Sequence, residues 1–155
     1  MKRTPLWQLI GTGVFIALAS LILTWGFYGR MAGIPVAVSL TLWVMAGVCC
    51  YLAFKVRSRL AEGRIGQDRS QLNPVTAAQF LIIGKASAWT GAVVGGGYVG
   101  MALYIFPQAG ILAAAADDLP GVIASATGGL ALSAAGLYLE KVCHVPPPPD
   151  GAPVG

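Results

Sequence analysis

Residues 6–28 read LWQLIGTGVFIALASLILTWGFY, an apolar run without a charge, in which Gln8 is the most polar side chain. At 1.5 Å per residue a helix of that length extends roughly 35 Å, enough to cross a hydrocarbon layer of about 30 Å with some tilt. Lys2 and Arg3 precede it, and Thr4–Pro5 resembles a cap followed by proline in the first turn. Trp7 near one end and Trp25, Phe27 and Tyr28 near the other fit interfacial aromatic belts. A secretory signal is the rival reading, since Ala17–Leu18–Ala19 mimics a cleavage site. The apolar run continues well past Ala19, beyond the usual signal core of about 7–15 residues, which favours an uncleaved span.

Three similar runs follow, at about 35–54, 76–106 and 120–139. The second carries no charge. The third opens at Asn73–Pro74, ends at Pro107, and is long enough to require tilt or an interfacial first turn. Pro5, Pro35, Pro74 and Pro120 stand at or near the four starts, where the first amides of a helix have no internal acceptor. Between the third and fourth runs, Gln108 to Asp118 reads as an alanine-rich connection with room for a short interfacial helix. The expected fold is all-α, a membrane four-helix bundle of two antiparallel hairpins over residues 1–145. A disordered proline-rich tail at 146–155 follows it.

Composition supports the same solvent. Of 155 residues 56% are hydrophobic and 10% charged, with a mean hydropathy of +0.72. A soluble domain is about 25% charged. The net charge of +4 is no nucleic-acid footprint, because the basic residues lie between apolar runs and no basic helix is interleaved with stacking aromatics. Counted beside the spans, Lys2, Arg3, Lys55, Arg57, Arg59, Arg64, Arg69 and Lys141 fall on one side, and Arg30 alone on the other. The positive-inside rule then places both termini in the cytoplasm. The loop basics Lys55, Arg57, Arg59, Arg64 and Arg69 fix topology, and can also meet anionic headgroups at about 1 kcal/mol each.

Few side chains offer chemistry. Lys85 sits inside the third span, where a central lysine would cost about 2.5–3.5 kcal/mol. It either extends toward the cytoplasmic headgroups or pairs with Glu140 at the end of the fourth span, as a structural pair or in a polar path. Gly91, Gly95, Gly96 and Gly100 on the third span form small-xxx-small steps, as do Gly121, Ser125, Gly129 and Ser133 on the fourth. Such rows let helix backbones approach closely, here to join spans three and four, with leftover faces open to a partner. Gly95, Gly97 and Gly100 match G-x-G-x-x-G only by accident, since no strand or water-accessible loop surrounds them. Cys49, Cys50 and Cys143 read as unpaired apolar thiols. His144 is the single histidine, so neither a zinc set nor a nucleophilic triad can be assembled. Asp117 and Asp118 suit helix capping and orientation better than a weak cation site. No cofactor or metal is expected.

The chain resembles the domain of unknown function 3180 family. The likeness rests on four spans, on Ile83–Gly84–Lys85–Ala86–Ser87–Ala88 before a glycine-rich helix, and on Leu139–Glu140 ahead of Cys143–His144–Val145–Pro146. Members often carry arginine after that cysteine, where this chain has His144. The resemblance implies an actinobacterial plasma membrane, and genes near those of folate synthesis; it supplies no catalytic residue. The leading expectation is a non-enzymatic accessory or scaffolding subunit of a larger membrane complex, packing through small-residue faces. The alternative is a small oligomeric transporter or channel using Lys85 and Glu140. A membrane enzyme ranks third, for want of paired acids or histidines.

Overall fold

The computed structural model describes residues 4–30, 37–61 and 74–143. Lys2, Arg3, Pro35, Arg64, Arg69, His144 and the tail at 146–155 lie outside the described residues. Four helices account for the rest: α1 (Leu6–Phe27), α2 (Ala37–Ala61), α3 (Pro74–Gln108) and α4 (Ala113–Cys143). Each is long and apolar enough to cross a bilayer, and no strand is present among the described residues.

Local chemistry sets the boundaries. The Pro5 carbonyl accepts from the amides of Gln8 and Leu9, starting α1, and a single 3-10 turn at Tyr28–Arg30 ends it. α3 opens directly on Pro74, a residue that forfeits no bond at a first helical position. Its 35 residues extend over roughly 52 Å, so it projects well beyond one hydrocarbon thickness.

Two boundaries differ from the sequence expectation. α2 runs on to Ala61, so Lys55, Arg57 and Arg59 belong to a helix and not to a loop. α4 begins at Ala113, which leaves only 109–112 as the connection and puts Asp117, Asp118 and Pro120 inside the helix. The alanine run explains this: alanine is the best helix former, and the Leu112 carbonyl accepts from Ala115 and Ala116 to start the first turn. Pro120 lacks the amide that would bond the Ala116 carbonyl, and the helix continues through it. The two aspartates therefore sit more than a turn inside α4 and do not cap it.

The helices pack as an open row in the order α1–α3–α4–α2, with α2 also touching α3 where Cys49 meets Ser87. Leu9 against Ala88 and Ala92, and Tyr28 near Ile105, make α1 and α3 parallel. α4 runs antiparallel to α3, with Gly136 on Ala88 and Gly129 on Gly95. α2 lies parallel to α4, its Leu42, Ala46 and Cys49 meeting Leu132 and Ala135, and its Ala53 and Val56 meeting Leu139 and Cys143. The expected all-α four-helix architecture holds. Of its two hairpins, α3 and α4 pack directly on each other, whereas α1 and α2 occupy opposite flanks.

Candidate functional site at the basic end

Parallel and antiparallel pairings bring the start of α1, the start of α3 and the ends of α2 and α4 to one end of the row. Lys55, Arg57, Arg59, Glu140 and Lys141 gather there, while Arg30, Asp117 and Asp118 stand at the other end. At that other end the Tyr28 hydroxyl donates to Asp118 Oδ2 at 3.2 Å.

Gly84 places α3 at the level of Glu140. A Cβ added to Gly84 would stand 2.9 Å from the Glu140 amide nitrogen and 3.0 Å from the Gly136 carbonyl oxygen. Lys85, one residue further round the helix, turns outward and is exposed. Glu140 points inward and is 4% exposed. Its Oε1 accepts the Thr4 amide proton at 2.6 Å, and its Oε2 is buried without a hydrogen-bond partner among the described residues. Lys85 and Glu140 thus come level but do not pair. Adjacent helical positions diverge by about 100°, so a glycine seated in the seam directs its lysine neighbour to the outside.

Thr4, 7% exposed, is the site residue that sequence reading missed. Its Oγ1 is likewise buried, with no partner among the described residues. Thr4, Leu6, Leu137, Tyr138, Glu140 and Lys141 line a cleft of about 310 Å³. Beside it the Arg57 guanidinium donates to the Tyr138 hydroxyl at 2.9 Å, joining α2 to α4. Thr4–Pro5 carried a visible signal as a helix start, but nothing local marks its 136-residue reach to Glu140.

The small residues are committed within the chain. Gly91, Gly95, Gly129 and Gly136 form the α3–α4 seam, where a Cβ on Gly91 would strike the Ser133 backbone and one on Gly95 would lie 3.0 Å from the Gly129 carbonyl carbon. Ser133 Oγ donates to the Ala88 carbonyl at 3.1 Å across the same seam. Gly96 and Gly100 face the other way, against Gly13 and Ala17 of α1, where Ser20 Oγ donates to the Gly97 carbonyl at 2.8 Å. Gly121 and Ser125 are buried, the Ser125 hydroxyl without a partner among the described residues. On α2, Trp43 Nε1 donates to the Ala124 carbonyl at 3.2 Å and Cys49 Sγ to Ser87 Oγ at 3.3 Å. Cys49, Cys50 and Cys143 are free thiols. Among the described residues no three His, Cys, Asp or Glu side chains converge on a metal position.

Four long apolar helices, each with a stretch hydrophobic enough to cross a bilayer, define a small multi-pass membrane protein. Residues 9–147 match the family described as Protein of unknown function (DUF3180), and the chain belongs to that family. Neither a curated protein nor a solved structure matches it.

Proposed function

We propose that the protein is a non-enzymatic accessory or scaffolding subunit of a larger assembly in an actinobacterial plasma membrane, with both termini cytoplasmic. The observation that carries this reading is the open row. Its glycine faces are consumed in the α1–α3 and α3–α4 seams, so a partner would meet the flanks. α1 supports this: only Leu9 and Thr24 are buried along it, and Trp7, Phe15, Ile22 and Trp25 are exposed. A groove of about 250 Å³ runs between α1 and α4 over the glycine face of α3, lined by Leu9, Gly13, Val14 and Ala17 with Leu130 opposite. Its apolar, small-residue lining suits a transmembrane helix of a larger subunit, held by close packing in the absence of a hydrophobic drive between helices. Orientation rests on the basic end, which collects Lys55, Arg57, Arg59 and Lys141.

A second reading, a small oligomeric transporter or channel, draws on the buried carboxylate of Glu140. Because Lys85 turns outward, a polar path through both residues would need a second copy to complete it.

Mild-detergent purification of a tagged copy from its native membrane, with intact-complex mass spectrometry, tests the accessory role. A partner at fixed stoichiometry is expected, and Val14→Trp in the groove should abolish its recovery while leaving the helices folded. A lone monomer or a homo-oligomer would sink the reading and turn attention to flux assays on Lys85 variants.

A further inference from the structure

Two acceptors at the basic end have no donor among the described residues. Glu140 Oε2 and Thr4 Oγ1 are both buried and unpartnered, on residues that line the same cleft. A carboxylate left in that state costs several kcal/mol unless something neutralises it. The nearby cations among the described residues do not serve. Lys141 follows Glu140 directly on α4, where successive side chains do not face each other. Lys85 is turned outward, and the Arg57 guanidinium is engaged by Tyr138. A divalent ion fits poorly, because one carboxylate and one hydroxyl fall well short of the six or more oxygens that calcium takes.

We propose that this cleft binds the phosphoethanolamine headgroup of a membrane phospholipid. A primary ammonium carries three N–H donors and a positive charge, which answers Glu140 Oε2 and Thr4 Oγ1 together. Lys141 lines the same cleft and is exposed, so its ammonium meets the phosphate joined to that amine. The cleft thus presents one anion and one cation to a headgroup carrying the opposite pair. Leu6 and Leu137 complete the lining and receive the first acyl methylenes. The location agrees, since Thr4 and Glu140 mark the level at which α1 enters its apolar run, where headgroups lie. A choline headgroup has the charge but no N–H to donate, and a glycerol headgroup has hydroxyls but no cation. The site is independent of the accessory role, because its residues lie apart from the α1–α4 groove.

The test is intact mass spectrometry of the purified full chain, titrated with ethanolamine, choline and glycerol phospholipids of identical acyl chains. One ethanolamine lipid per chain is expected, retained at least tenfold over the other two. Glu140→Gln should erase that preference to within twofold, Thr4→Val should weaken it several-fold, and Lys141→Gln should reduce retention. Water-soluble phosphoethanolamine, added as competitor, separates the sources: displacement only at large excess assigns the site to the lipid, and displacement at equal concentration assigns the same chemistry to a soluble ligand. Equal retention of the three lipids by the unaltered chain would overturn the proposal without recourse to any variant. So would a preference that survives Glu140→Gln, or one that emerges only when Lys2 and Arg3 are both changed to glutamine, which would make the chain's own cations the occupants.

Discussion

A methyl group is the smallest probe of the α3–α4 seam. At Gly91 it would collide with the Ser133 backbone, and at Gly136 it would stand 2.5 Å from the Ala88 amide nitrogen. Backbone cannot swing aside as a side chain can, so the two helices would have to separate. Overpacking of this kind costs about 1–3 kcal/mol. Gly91→Ala should therefore lower the melting temperature in detergent, and Gly91→Val should lower it further. Gly11 and Gly47 supply the control, because a Cβ at either meets nothing within 4 Å. Alanine at those positions should be neutral or stabilising by about 0.5–1 kcal/mol through helix propensity. A thermal unfolding series on the four alanine variants reads the contrast, and equal shifts at all four positions would refute the close seam. The rows themselves were legible in the four-residue spacing of Gly91–Gly95 and Gly129–Ser133. Which face of α3 each glycine serves was not. Gly95 and Gly96 are neighbours in sequence, yet one meets α4 and the other α1.

Helix boundaries show where local chemistry competes. Pro120 was read as a start because proline is tolerated in a first turn, whereas the structure places it at the eighth position of α4. The preceding alanines supply enough propensity to carry the helix across the lost hydrogen bond. Pro120→Ala should restore a donor for the Ala116 carbonyl, and it removes a penalty of up to about 3 kcal/mol in a helix interior. Raised thermal stability and slower amide exchange near Ala116 are the expected result. No change in exchange would mean that the Ala116 carbonyl is already satisfied. Lys85 illustrates the same limit for a side chain. Its span was evident from hydropathy, but its direction depends on Gly84 being pressed against the Glu140 backbone. That contact belongs to the pairing of two helices and leaves no mark in either one alone.

The order of the row is the property of the whole molecule that hydropathy cannot supply. In water, an apolar stripe tells which face of a helix turns inward; in a bilayer the lipid is as apolar as the interior, so every face can be leucine-rich. The number and class of helices were therefore readable in the four runs, while their arrangement rests on small residues and a few cross-helix hydrogen bonds. α3 carries glycine on two faces, seating α1 on one and α4 on the other, and makes a smaller contact with α2. α2 joins α4 through Trp43 and Arg57, and reaches α3 through the hydrogen bond from Cys49 to Ser87. Cysteine cross-linking in native membranes tests this order, after Cys49, Cys50 and Cys143 are replaced by alanine. Cysteines at Gly13 and Ala92 should cross-link readily, since a Cβ at Gly13 lies 3.6 Å from the Ala92 carbonyl oxygen. Cysteines at Gly13 and Ala46 should not, because α1 and α2 occupy opposite flanks although they are consecutive in the chain. Efficient linkage of the second pair within one chain would close the row into a compact bundle. That geometry would remove the open flank on which the accessory role depends. Linkage of the second pair only between chains would leave the row intact, and would identify a second copy as what covers the flank.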